Sequence, residues 1–248
     1  MEIQTNTLCI EVTRRCNMQC EHCLRGDAQN LDISESILEE IAKTIRPASV
    51  VFTGGEPSLN VSAIERYFQL AEQYGNLPSS FYVATNGATS SEQMNALALA
   101  FLKAYPKMDE PECCEVNVSG DIFHEAFKEK DHSAILRGLS FFDVMGKKHS
   151  LENDSMNWLL NTGRAAENGL GCRDTRPFST DMDKLVTGIY QDEVCFDMLY
   201  VAANGNVVDN CDSSYEDIDD EENVICSVFD LSKKCQQYIK KPLFRTPA

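Results

Sequence analysis

Cys16, Cys20 and Cys23 fall in one short stretch, Cys16-Asn17-Met18-Gln19-Cys20-Glu21-His22-Cys23, so three thiolates can reach one metal centre from a single loop. Three sulfur ligands can wrap an iron-sulfur cubane and leave its fourth iron without a protein ligand, an open position where the amine and carboxylate of a small molecule can chelate and receive an electron. A fourth cysteine would close the cluster into an electron carrier. Taken alone, the same spacing also suits a structural zinc ion. A second stretch, Gly54-Gly55-Glu56-Pro57, offers glycines that let backbone approach a ligand closely, acceptors on Glu56, and a proline that fixes the exit of the loop. Taken alone, it also reads as a tight turn.

The chain holds 11 cysteines, an odd number that rules out complete internal pairing, and it opens without a basic stretch followed by an apolar core. Its longest apolar run, near residues 96–101, is too short to cross a bilayer. A cytoplasmic protein with no membrane partner is expected, its cysteines serving metal or core. The balance of 22 basic and 39 acidic residues, a net charge of -17, argues against a nucleic-acid polymer as substrate. A length of 248 residues suits one α/β domain with a small appendage.

The elements that must position these stretches follow from periodicity. Leu8 to Val12 reads as a short buried strand, which places the cysteine motif in the loop after it. Asp32 with Glu35 forms a capping-box pattern ahead of Ile33, Ile37, Leu38, Ile41 and Ile45; Pro47 stops that helix, and Ser49 to Phe52 is the next strand. Asn60 opens a helix reaching Gly75, Phe81 to Ala84 is a strand, Ser90 with Gln93 opens a helix to about Tyr105, and Glu115 to Val118 is a fourth strand. Alternation of this kind predicts right-handed βαβ units, a parallel sheet, and functional loops at the C-terminal strand ends. Further on, Ser133 to Asp143 is expected to be helical and Asn157 to Leu160 a strand. Met198 to Ala202 and Val207 to Asp209 flank Asn204-Gly205, a hairpin signal, while Tyr215 to Asn223 is an acidic run expected to be a solvated loop.

With CX3CX2C after the first strand and GGEP after the second, the chain resembles the radical S-adenosylmethionine (SAM) superfamily over roughly residues 7–165. The resemblance implies an α/β fold, a partial (β/α)6 barrel, placed here over residues 1–170; it says little about residues 171–248, a C-terminal extension read from the residues themselves as holding the hairpin, the acidic loop and a short helix. It implies a [4Fe-4S] cluster on Cys16, Cys20 and Cys23, and SAM held by Gly54, Gly55, Glu56 and Pro57, where carbonyls and Glu56 would accept from the methionyl ammonium. Asn86, in Thr85-Asn86-Gly87, and Ser119 with Asp121 fall where family members bind the methionyl carboxylate and the ribose hydroxyls. Arg164 falls where an arginine can pair with that carboxylate, and His22 stands where an aromatic residue usually lies beside the adenine. For Asp121 the competing reading is a helix cap, and for Arg164 a surface residue. His124, His132 and His149 have no metal-ligand spacing and read as structural.

The implied reaction is reductive cleavage of SAM to a 5'-deoxyadenosyl radical that abstracts a hydrogen atom from substrate. It needs a low-potential electron donor such as flavodoxin or ferredoxin, for which Lys233, Lys234, Lys240 and Lys241 form a candidate docking patch, although a charged, solvated helix is the simpler reading. Cys195, Cys211, Cys226 and Cys235 around the hairpin resemble a short twitch- or SPASM-like extension and admit one auxiliary iron-sulfur cluster, although buried free thiols are the simpler reading. Cys9, Cys113, Cys114 and Cys172 read as structural. A peptide substrate is favoured over a small-molecule or nucleoside-type one. The alternative outside enzymes is a zinc-stabilised binding module whose acidic loop is its interaction surface.

Overall fold

The computed structural model describes residues 2–125, 130–145 and 159–240. In chain order the elements begin with strand β1 (Glu2–Thr13), helix α1 (Glu35–Thr44), β2 (Ile45–Gly54), α2 (Val61–Tyr74), β3 (Ser80–Thr85), α3 (Ser91–Ala104), β4 (Glu115–Ser119), α4 (Ile122–Glu125) and β5 (Phe142–Met145). There follow α5 (Gly163–Glu167), α6 (Met182–Leu185), β6 (Val186–Tyr190), β7 (Glu193–Val201), β8 (Asn206–Val208), α7 (Tyr215–Asp219), β9 (Cys226–Ser227) and α8 (Val228–Ile239). The strands join one sheet in the order β5-β4-β3-β2-β1-β7-β8-β9, with β6 pairing β7.

From β5 through β1 to β7 the pairs are parallel. The sheet is therefore the expected mixed α/β frame with six parallel strands, and its two ends are not joined among the described residues. Residues beyond 170 do not start a new layer. They place β7 along β1, Ile3 opposite Val194 and Ile10 opposite Val201, which removes the open edge β1 would otherwise present. The Asn204-Gly205 turn forms as expected, with Gly205 at φ +90 and its amide donating to Ala202 O.

Period-two alternation along β1 sorts its side chains between two faces. Leu8, Ile10 and Val12 join the large apolar core with α1, α2 and α3, where Phe52, Tyr67, Phe68, Phe81 and Phe101 pack edge to face. Cys9 and the buried Glu11 face the other way, where Cys9 packs with Tyr200, Ala202, Val208 and Ile218. Helix boundaries follow local chemistry: Ser90 and Gln93 make a reciprocal capping box, and Gly75, at φ 75, closes α2. Asp32 does not cap α1. Its carboxylate is taken by the Thr13 hydroxyl and by Arg15, so Ser34 caps instead, and Pro47 lies inside β2, in a stretch that pairs β1 but not β3.

Two other expectations are corrected, and a third lies partly outside the described residues. Residues 133–138 form a 3-10 turn rather than a full helix, ahead of β5. Asn157 lies outside the described residues, and Leu160 makes only an isolated bridge with Arg173. The acidic run is not wholly solvated, because α7 buries Tyr215 and Ile218. Among the described residues no helix is long and apolar enough to cross a membrane.

Candidate active site

The end of β2 and the start of the cysteine loop are zipped together by backbone. Gly55 N donates to Thr13 O at 2.9 Å and Glu56 N to Arg15 O at 2.8 Å. A Cβ on Gly54 would meet Thr13 O at 2.0 Å, and one on Gly55 would meet Arg15 O at 2.3 Å. The smallness of both glycines is thus used by the close approach of the cysteine loop, and both also line the cavity described below. Gly55→Ala is predicted to cost about 2–3 kcal/mol and to displace the loop, which a thermal melt of the cluster-free protein reads directly.

Glu56 is 1% exposed and ties three segments together. Its Oε1 accepts from Ser58 N at 3.0 Å and Thr85 Oγ1 at 2.6 Å, and its Oε2 from Asn86 N at 2.7 Å. Asn86 in turn donates through Nδ2 to Asn17 Oδ1 at 2.9 Å, while Asn17 donates to Ala88 O. The third strand's end is therefore stitched both to GGEP and to the cysteine loop.

Cys16, Cys20 and Cys23 are free, half-buried thiols at one end of a cavity of about 440 Å³. Burial pushes Cys16 up to about 11 and raises Cys23, so they rest as thiols until a cation draws off their protons. Zinc held by sulfur at about 2.3 Å would need its ligands about 3.8 Å apart. Among the described residues, the group with ligand atoms mutually within 4.8 Å is His22, Asp121 and His124, not the three cysteines. The donor set, all sulfur and one short of four, fits an iron-sulfur cluster with an open iron.

The cavity runs from the cysteines past the ends of β2, β3 and β4, and Gly54, Gly55, Glu56, Pro57, Asn86, Ser119 and Asp121 line it. Its volume lies in the range of small-molecule sites. Arg164 is the expected residue that does not line it. Gly163, at φ 55, packs against Leu24 O, which aims the Arg164 amide at Cys23 O at 2.9 Å and leaves its guanidinium 3.9 Å from Asp27. The Arg164 backbone N–H thereby holds the last cysteine.

Asp121 behaves as the capping reading said: Oδ1 accepts from Phe123 N at 2.9 Å, His124 N at 3.2 Å and His124 Nδ1 at 2.7 Å. Burial works against its charge, but the His124 bond and the two imidazoles win and hold its carboxyl below the usual range. Burial likewise opposes protonation of His124, yet Asp121 and the nearby Cys20 thiol lift it to about 9. His124 Nε2 lies 3.9 Å from Cys20 Sγ, so this residue, which the sequence reads as structural, faces the cavity. His22 stacks on Phe123 with ring centroids 4.2 Å apart, and burial lowers its pKa. His132 serves Ser91 at the start of α3, and His149 lies outside the described residues.

The four tail cysteines do not share one site. Cys195 is in register with Gln4 near the beginning of β1, whereas Cys211 lies beyond β8 and packs on the Cys9 face. Cys226 and Cys235 belong to the opposite, helix-covered face. Strand extension and pleat separate them, and no auxiliary cluster on these four follows. In the lysine patch, Lys234 is engaged by Ile225 O and Lys241 lies outside the described residues.

The sequence profile of the radical SAM superfamily matches residues 10–145. Among curated proteins, the chain is 27% identical over 92 residues to an uncharacterised protein of Methanocaldococcus jannaschii, covering 35% of this chain and 32% of that protein. It is 35% identical over 98 residues to the GTP 3',8-cyclase of Chlorobaculum tepidum, covering 38% of this chain and 29% of that enzyme. The matches thus span about a third of those relatives' lengths. Among solved structures, anSMEcpe with bound AdoMet and the Cp18Cys peptide aligns at TM-score 0.44 and 13% identity, over 98% of this chain and 82% of that one. Streptococcus suis SuiB bound to the precursor peptide SuiA aligns at TM-score 0.43 and 13% identity, over 97% and 66%. The chain belongs to the radical SAM superfamily, and its cofactors are a [4Fe-4S] cluster and SAM.

Proposed function

We propose that this protein is a radical SAM enzyme whose cluster is held by Cys16, Cys20 and Cys23, with SAM lying in the adjoining cavity. The observation that carries the reading is the convergence of three free thiols with the GGEP turn on one cavity at the C-terminal strand ends. When bound and reduced, a cluster on these cysteines would supply the electron for reductive cleavage of SAM to methionine and a 5'-deoxyadenosyl radical. The chain's own residues position and shield. The Gly54–Gly55 backbone and the Arg164 amide fix the cysteine loop, Glu56 fixes the ends of β2 and β3, and Ser119 at the end of β4 offers its hydroxyl to the ribose. Asp121, already bonded to His124, keeps Oδ2 toward His22 at 3.7 Å as the acceptor left for a ligand hydroxyl.

The electron donor in this reading is a low-potential protein such as flavodoxin or ferredoxin, acting in the cytoplasm. A peptide substrate is the favoured reading, supported by the net charge of -17, which suits a basic segment. A nucleoside-type substrate is the second reading, supported by the relative that is a GTP 3',8-cyclase. Adding SAM to the reduced, reconstituted protein is expected to change the cluster's electron paramagnetic resonance spectrum; an unchanged spectrum would remove SAM from the open iron. Binding of a lysine-rich peptide but not of GTP is expected, and the reverse would install the second reading.

A further inference from the structure

One helical turn, distant in sequence, touches both ends of the cysteine motif. Arg14, two residues before Cys16, is 1% exposed and makes a two-pronged pair with Asp219 on α7, NH1 to Oδ2 at 2.6 Å and NH2 to Oδ1 at 2.8 Å. Its Nε donates to Glu11 at 2.9 Å and its NH1 to Gln29 at 3.0 Å, which fixes the guanidinium in one orientation. Arg25, two residues after Cys23, is 8% exposed; it donates to Ser213 O at 2.8 Å and its carbonyl accepts from Tyr215 N at 3.0 Å. The two guanidiniums also lie over aromatic rings, Arg14 at 4.7 Å from the centre of Tyr215 and Arg25 at 5.1 Å from that of Tyr200.

A third contact closes the arrangement. Thr162 Oγ1 donates to Asp217 Oδ2 at 3.0 Å, and Thr162 leads directly into the turn whose Arg164 amide holds Cys23 O. Asp217 is itself fixed by the reciprocal cap with Ser214. The acidic segment therefore grips the loop before the first cysteine, after the third, and through the carbonyl of the third.

Burying an arginine with its partners gains little net stability, since desolvation offsets the attraction, and apolar side chains would fill the same space. What such a network supplies is a fixed geometry. We propose that α7 is a latch on the cluster loop, with Arg14 and Asp219 as positioning residues that hold its ends at the spacing Cys16 and Cys23 need to retain a cluster. The proposal rests on the reading of Cys16, Cys20 and Cys23 as ligands.

Asp219 is 40% exposed and contributes no apolar packing, and asparagine keeps its volume and one acceptor for Arg14, although the Oδ1 that also accepts from Asn204 Nδ2 is affected too. In the reconstituted full chain, Asp219→Asn is expected to lose iron to a chelator about tenfold faster than wild type, as is usual when a partner behind a ligand is removed, with Asp219→Glu restoring most of the difference. In the cluster-free protein, amide hydrogen exchange over residues 14–26 is expected to rise in Asp219→Asn while β3 and β4 are unchanged. Thr162→Val, which breaks the Asp217 contact instead, should shift both readings the same way. Wild-type iron loss together with wild-type exchange in both variants would overturn the latch. Failure of the ligand reading looks different: Cys16→Ala/Cys20→Ala/Cys23→Ala would bind as much iron as wild type, and the exchange measurement on cluster-free protein would still decide the latch.

Discussion

Replacing Cys16, Cys20 and Cys23 together by alanine is expected to abolish iron and sulfide incorporation on anaerobic reconstitution, and with it the visible absorbance of the cluster, while the protein stays folded. The thiols are only half-buried and make no disulfide, so alanine removes little packing. Their loop is held by groups the substitution leaves alone, the Gly55 and Glu56 amides, the Arg164 amide and the Arg14 pair. Burial raises Cys16 and Cys23, so without metal they carry no charge whose loss could upset the fold. Because the tail cysteines lie on opposite faces of the sheet, none is placed to take over as ligand. Iron remaining at the wild-type level in the triple variant would contradict the assignment, and an unchanged melting temperature would show that only the ligands had been lost.

Glu56→Ala is expected to give the largest stability effect of any single change in the site. Three donors, Ser58 N, Thr85 Oγ1 and Asn86 N, point at its buried carboxylate, and alanine would strand them all. At roughly 1–3 kcal/mol for each unsatisfied buried group, with partial recovery through water entering the cavity, the loss is about 4 kcal/mol. For a chain of this size that lowers the melting temperature by roughly 8–16 °C. Glu56→Gln keeps the shape but turns an amide donor toward another donor, and about half the effect is expected. Calorimetry of the cluster-free variants checks both values. A melting temperature within about 2 °C of wild type for Glu56→Ala would mean that the ends of β2 and β3 hold without it.

The parts legible in sequence are those governed by local rules. The Ser90 and Gln93 cap, the Gly75 stop and the Asn204-Gly205 turn are each written in a few adjacent residues, and each forms. The cysteine loop and GGEP point to chemistry as a pair, each following its own strand, since either alone also reads as a zinc site or a tight turn. What escaped depended on partners far along the chain. Asp32 reads as a cap until Thr13 and Arg15 claim it. Alternation marks β7 as a strand but does not say that its neighbour is β1.

The acidic run reads as self-repelling because the compensating Arg14 is 205 residues away from Asp219. One local signal was available, Tyr215 and Ile218 three apart behind Ser214, the pattern of a single capped turn with one apolar face. At Arg164 the guanidinium is what the sequence displays, while the glycine before it sets the backbone that points the amide at Cys23 O.

The measurement that bears most directly on the whole account is the quantity of 5'-deoxyadenosine formed when the anaerobically reconstituted protein is given dithionite and SAM. The account predicts 5'-deoxyadenosine and methionine in equal amounts from wild type and none from Cys16→Ala/Cys20→Ala/Cys23→Ala. A wild-type protein that carries a full cluster and leaves SAM intact, with and without peptide and nucleotide present, would contradict it.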